Sequence, residues 1–131
     1  SGTVISIESD ETWSRKIKDK LSEKNLNNVV LKTYPYDPYK KEEFRKSSFL
    51  RSMKDYLFDI ILVDCLDPSL KLRQEAFYFT EKQIKKGGLI VVDDSWRYPE
   101  IRKNNSAKHW TEFRSIGPCR KGITTTDIYF Y

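Results

Sequence analysis

The chain has 131 residues, 38% of them apolar and 33% charged, and a net charge of +5. That is the size and composition of one globular α/β or α+β domain, too short for two. No run approaches the eighteen apolar residues of a membrane span, no positively charged start leads into an apolar signal segment, and two cysteines, Cys65 and Cys119, are too few for a disulfide scaffold. Two reduced thiols and no targeting segment lead us to expect a cytoplasmic protein without membrane contact. The basic residues are scattered over Arg15–Lys20, Lys40–Lys46, Lys82–Lys86 and Arg102–Lys108, which is usually the pattern of a solvated face, with an anionic substrate or nucleic acid as the alternative partner.

In chain order, Thr3 to Ile7 is a short β-rich run closed by Glu8. Asp10-Glu11-Thr12 supplies helix-capping residues, and Trp13, Ile17 and Leu21 at four-residue spacing predict an amphipathic helix. Asn25, Asn27 and Asn28 mark a turn into a strand at Val29-Val30-Leu31. Tyr34-Pro35-Tyr36-Asp37-Pro38-Tyr39 is a loop. Phe49, Leu50, Met53 and Leu57 predict a helix over roughly residues 43–57. Phe58 to Val63 is the strongest buried-strand signal, followed by Asp64. Asp67-Pro68-Ser69 opens a predicted long helix to about Lys85, with Leu72, Ala76, Phe77 and Ile84 on its apolar side and Gly87-Gly88 ending it.

Leu89-Ile90-Val91-Val92 then forms a continuous apolar strand closed by Asp93-Asp94, a pattern that suits a parallel strand covered on both faces. Ser95 to Ser106 is loop and short helix, and Phe113–Ile116 with Thr124–Tyr131 predict an antiparallel hairpin turned at Gly117-Pro118 and Gly122. Alternating strands and helices of this kind predict a doubly wound α/β domain over residues 1–131. In such sheets ligands sit outside the carboxyl ends of the strands, which directs attention to Glu8, Asp64 and Asp93-Asp94.

These segments carry a family resemblance. Ser6-Ile7-Glu8-Ser9-Asp10 before a Trp-containing helix resembles the second-strand motif of class I S-adenosylmethionine-dependent methyltransferases. Phe58 to Asp64 resembles their fourth-strand motif, Lys86 to Asp94 the fifth, and the terminal hairpin their sixth and seventh strands. The resemblance implies a Rossmann-like sheet with a C-terminal antiparallel hairpin. It also implies transfer of a methyl group to a small-molecule acceptor, O- or N-directed, with S-adenosylmethionine as donor. Glu8 takes the place of the acid that accepts hydrogen bonds from the ribose hydroxyls, as two carboxylate oxygens can for a vicinal diol. An exposed acid favouring the start of a helix is the plainer reading of the same residue. Ser9 and Asp10 adjoin it.

Asp64 lies near the methionine part of the donor and the acceptor, where it orients the acceptor or acts as a base. Asp93-Asp94 resembles the Asp-Asn pair of the cation-dependent O-methyltransferases, which with Asp64 implies a site for Mg²⁺; a loop-capping role for Asp94 is equally natural. His109, the only histidine, is either a packing or surface residue or a general base. Trp96, Tyr98 and Trp110, like Tyr34, Tyr36 and Tyr39 after the third strand of the family, are either pocket or packing aromatics.

One departure matters. The family begins with a strand and a glycine-rich turn that lets the backbone approach the donor, and the sequence, starting Ser1-Gly2, has no Gly-x-Gly-x-x-Gly anywhere. The first strand lies between the second and fourth in the family's sheet. The expectation is therefore a domain lacking its first strand and helix, whose open edges are re-paired, or covered by a homo-oligomeric partner or a complementary chain. It makes a non-catalytic, methyltransferase-like partner or interaction module the alternative to an enzyme. Cys65-Leu66-Asp67-Pro68 stands where base N-methyltransferases carry an Asn-Pro-Pro-Tyr-like tetrapeptide, which argues against nucleic acid as the acceptor.

Overall fold

The computed structural model describes residues 2–116 and 122–131. The proposed turn at Gly117-Pro118 and the second cysteine, Cys119, lie outside these residues. The chain divides into two compact units, Ser1–Ser52 and Met53–Tyr131; the single domain over residues 1–131 remains an expectation. No helix among the described residues is long and apolar enough to cross a membrane.

The first unit is a parallel pair of strands with its crossover helix. Strand β1 (Val4–Glu8) pairs with β2 (Val29–Thr33) from Val4↔Val29 to Glu8↔Thr33, and helix α1 (Glu11–Glu23) joins them. Asp10 caps α1: its extended backbone leaves the side chain to accept from the Trp13 amide at 2.6 Å. The expected apolar side of α1 is weaker than its spacing suggests. Trp13 is 55% exposed beneath Lys16, while Ser14 is the one buried residue and shares a hydrogen bond with the hydroxyl of Thr33.

The helix expected over residues 43–57 is instead two short ones, α2 (Lys41–Arg45) and α3 (Ser48–Arg51). Ser47 breaks them apart. Its hydroxyl donates to the Phe44 carbonyl at 2.7 Å, its backbone is extended, and the same oxygen accepts from the Leu50 amide. A serine that offers the backbone such local bonds competes with helix continuation. Phe44 and Phe49 stack edge-on with Tyr36, at 4.7 and 5.0 Å between ring centres, and form the aromatic core of this unit.

The second unit contains strands β3 (Phe58–Val63), β4 (Ile84–Val92), β5 (His109–Ile116) and β6 (Ile123–Phe130), in sheet order β3-β4-β6-β5. The β3–β4 pair is parallel and the other two pairs antiparallel. Helices α4 (Leu72–Thr80) and α5 (Pro99–Lys103) complete it.

The long helix expected from Asp67 to Lys85 is shortened at both ends. Asp67 accepts from the amides of Ser69 and Leu70 at 3.1 and 3.0 Å, holding residues 67–70 in a turn, and Lys71 is left-handed at φ 60°, so α4 starts only at Leu72. After a 3-10 turn at Glu81–Gln83, Ile84 already belongs to β4. Gly87-Gly88 therefore lies inside a strand rather than ending a helix. The register jumps from Phe58↔Ile84 to Ile60↔Leu89, so the glycines carry a bulge. Gly87 has φ +85°, and a Cβ on Gly88 would stand 2.8 Å from the Asp59 carbonyl oxygen and 2.9 Å from Ile84 Cδ1.

Ile61, Val63, Ile90, Val92 and Tyr129 are buried on one face of the sheet, where Leu72, Ala76, Phe77, Tyr98 and Ile101 complete the core. In β4, expected to be covered on both faces, Ile90 and Val92 are buried and Leu89 and Val91 half-buried. Phe58–Val63, the strongest buried-strand signal, is covered on one face only: Ile60 and Leu62 are each 65% exposed, so β3 alternates like a strand with one solvated face.

Candidate functional site

Parallel pairing of β3 and β4 brings Val63 opposite Val92, so Asp64 and Asp93 leave the sheet side by side, and the Asp93 amide donates to the Val63 carbonyl at 3.2 Å. Asp94 follows in the left-handed region at φ 50° and is buried. The topology thus gathers the three acids expected at the ends of these two strands.

A residue that sequence reasoning passed over sits among them. Arg73, in the first turn of α4, points its guanidinium into the cluster. Its Nη2 is 2.7 Å from Asp64 Oδ1, its Nη1 is 3.1 Å from Asp93 Oδ2 and 3.6 Å from Asp94 Oδ2, and Nη1 also donates to the Asp93 carbonyl at 3.0 Å. Nε donates to the Cys65 carbonyl at 2.8 Å. A planar cation with a fixed fork of donors matches carboxylates and carbonyls at several angles at once, as an ammonium does not.

Burial works against the charge of Arg73, yet Asp64 foremost among its neighbours raises the guanidinium's proton affinity above the usual value. The Asp64 carboxyl is pushed above the ordinary carboxylate range, first by burial and then by repulsion from Asp93 and Asp94, against the pull of Arg73.

Arg73 is held from behind. Asp67 accepts from the Arg73 amide and from the Tyr98 hydroxyl, the latter at 2.8 Å, and its own carbonyl accepts from Arg97 at 2.7 Å. Tyr98 is 2% exposed, and burial, reinforced by Asp67, raises its hydroxyl pKa strongly. It is a structural anchor and not a pocket wall. Of the other aromatics, Trp96 is 52% exposed, and Trp110 lies under the guanidinium of Arg102 at 4.8 Å.

The segment after Asp94 is pinned by a second buried network. Asp127 on β6 is fully buried and accepts from Arg102 Nε at 2.7 Å and Nη2 at 2.9 Å, from the Ser95 hydroxyl at 2.8 Å, and from Tyr129. Glu112 takes a further bond from Arg102 at 2.7 Å.

The expected divalent-cation site does not form as drawn from sequence. Among the described residues no group of three acids, histidines or cysteines is arranged to hold a metal ion. The oxygens of Asp64 and Asp93 that would converge on Mg²⁺ converge on Arg73.

His109 is also displaced from the place the catalytic reading needs. It is a residue of β5 itself, level with Phe130 on β6 and Leu89 on β4, and stacks on Phe130 at 4.5 Å. Four residues along the strands and three strands across separate it from Asp64, on the order of 15–20 Å at ordinary sheet spacings. It is a surface packing histidine and does not share a site with Asp64.

In the first unit, Glu8 ends β1, half-buried, with one carboxylate oxygen accepting from the Ser6 hydroxyl at 3.1 Å and its carbonyl accepting from the Tyr34 amide at 2.8 Å. Ser9 follows, and Asp10 is committed to capping α1. Tyr34 is half-buried, Tyr36 belongs to the aromatic core, and Tyr39 is 75% exposed. A groove of this unit, ≈ 680 Å³, is lined by Ser14, Lys18, Leu21, Leu26 and Thr33 among others, and does not include Glu8.

The order β3-β4-β6-β5 of the second unit, with its parallel β3–β4 pair and terminal antiparallel hairpin, matches a Rossmann-like methyltransferase sheet. Solved structures with this fold include the O-methyltransferase TomG of Streptomyces achromogenes, in complex with S-adenosylmethionine (TM-score 0.70, 16% identity, 98% of this chain and 61% of that one). They also include the O-methyltransferase of Bacillus cereus with S-adenosylhomocysteine (TM-score 0.73, 16% identity, 99% and 63%). Cofactor-bound Rv0187 from MTB is a third (TM-score 0.72, 14% identity, 98% and 61%). The chain spans about three fifths of the length of these structures. No family model and no curated protein matches it.

Proposed function

We propose that this chain is part of an S-adenosylmethionine-dependent methyltransferase acting on a small-molecule acceptor at oxygen or nitrogen. The observation that carries the reading is that the parallel strands of each unit end in acids, β1 of the first unit in Glu8 and β3 and β4 of the second in Asp64 and Asp93. Open α/β sheets bind ligands at those ends. The donor, when bound, supplies an electrophilic methyl group. Glu8 suits the ribose end, because a half-exposed carboxylate at a strand terminus keeps acceptor capacity for a vicinal diol beside the single bond from Ser6. Asp64 is the residue we assign to the acceptor's proton. Its carboxyl is 54% exposed, is oriented by Arg73 through one oxygen, and has a proton affinity raised by burial, which makes it a stronger base than a solvated aspartate.

Titration of S-adenosylhomocysteine into the protein, followed calorimetrically, tests this. Binding that weakens at least about tenfold in Glu8→Gln supports the ribose role, a loss of about 1.4 kcal/mol, the scale of one charge-assisted hydrogen bond. Binding equal in wild type and Glu8→Gln removes it.

A second reading, a methyltransferase-like module that binds another chain, is favoured by β3 being an edge strand of its sheet, with Ile60 and Leu62 on one face each 65% exposed. Absence of any binding of the homocysteine compound, together with self-association or capture of a complementary strand, selects that reading.

A further inference from the structure

We infer that Arg73 is the resident cation of the strand-end carboxylates, and that the site therefore takes no divalent metal. The argument is geometric. Asp64, Asp93 and Asp94 reach the carboxyl ends of neighbouring strands, the arrangement in which a hard cation would be bound by oxygen. Yet the guanidinium already lies 2.7 Å from Asp64, 3.1 Å from Asp93 and 3.6 Å from Asp94. A metal ion and a guanidinium compete for the same lone pairs and repel each other.

Moving Arg73 aside is costly. Its side chain is only 10% exposed, and it also donates to the carbonyls of Cys65 and Asp93. Displacement would leave those carbonyls without this donor and a buried charge without its partners. The position is also fixed from the backbone, because Asp67 holds the start of α4 through the Arg73 amide and is itself held by Tyr98. A lysine at this place would bring a point charge able to satisfy fewer of these acceptors. The inference concerns ion binding alone and stands whether or not the chain transfers a methyl group.

Mn²⁺ titration, followed by the paramagnetic resonance of the free ion and by selective broadening of amide signals from residues 63–65 and 92–94, tests it. In the wild type we expect no saturable site and no selective broadening. In Arg73→Gln, shown to be folded by circular dichroism, we expect Mn²⁺ affinity to rise at least about tenfold, since three carboxylates are then left without the competing charge. That gain should disappear in Arg73→Gln/Asp93→Asn. A saturable wild-type site that Asp93→Asn abolishes would overturn the inference, as would a folded Arg73→Gln with no gain. Should Arg73→Gln fail to fold, the broadening experiment on the wild type decides alone, since selective broadening at these residues contradicts the inference and its absence supports it.

Discussion

Replacing Arg102 with methionine isolates the energetics of the buried network that holds the segment after β4. Methionine keeps an unbranched apolar stem near Trp110 but removes the guanidinium that binds both oxygens of Asp127, at 2.7 and 2.9 Å. Asp127 is fully buried, so its carboxylate is left without its cation in a place water does not reach. Breaking one half of a buried ion pair costs about 3–5 kcal/mol. The lower end applies here, because Ser95 and Tyr129 still donate to Asp127 and Arg102 itself is 24% exposed. We expect a loss of about 3 kcal/mol, a large share of the 5–15 kcal/mol typical of a domain.

Urea denaturation of both proteins, with matched m-values, measures it. In Arg102→Met/Asp127→Leu, where neither partner is left alone, most of the loss should be recovered, since an apolar pair of similar volume replaces a buried ionic one at little net cost. A single-mutant loss under about 1 kcal/mol, or a double mutant no more stable than the single, would refute the account that Asp127 depends on Arg102.

Gly88→Ala should destabilise by about 1–3 kcal/mol in the same assay, because the added Cβ meets the Asp59 carbonyl at 2.8 Å and only the Ile84 side chain can yield; an unchanged midpoint would show that the bulge is not tight. Asp64→Asn should change the pH profile. The folded Asp64 carboxyl has a pKa raised above its ordinary value of 3.8, so its contribution is fully present below that value and is lost as pH rises through the folded pKa. The stability of Asp64→Asn relative to wild type should therefore increase with pH just above the ordinary carboxylate range. A difference independent of pH, or of the opposite slope, would contradict the raised pKa assigned to Asp64.

The strands were legible because their residues leave few alternatives. Val29 to Leu31, Ile60 to Val63 and Leu89 to Val92 are β-branched or large apolar runs ended by polar residues, and each lies within an observed strand. Helix lengths were not legible, and the reasons are local. Ser47 and Asp67 are each compatible with a helical pattern, and each instead spends its side chain on nearby backbone groups. Gly87-Gly88 read as helix punctuation because a glycine pair ends helices more often than it forms a strand bulge; the distinction lies in the Asp59 carbonyl packed against Gly88, which is 29 residues distant in sequence. The exposed side chains of Ile60 and Leu62 were hidden by the same limitation, since a continuous apolar run does not say which faces have cover.

For the site, acids at strand ends are visible in a sequence because they follow apolar runs, whereas the group that neutralises them is not. Arg73 lies nine residues beyond Asp64 and twenty before Asp93, in a stretch whose other charges, Lys71 and Glu75, gave it no distinction. What separates it from the surface basic residues is burial: a side chain 10% exposed in ion pairs with three carboxylates is a component of the site, while Lys85, at 45% with one aspartate, is an ordinary surface pair. Asp127 did carry a usable signal. It stands at an alternate position of a strand, Thr125-Thr126-Asp127-Ile128-Tyr129, that places it on the same face as Tyr129. A charged residue on an inward face requires a partner, and Arg102 supplies it. The same reasoning applied to Asp64, Asp93 and Asp94 requires a cation. Two kinds of cation satisfy that requirement, a metal ion or an arginine, and only the path of α4 away from β3 decides between them.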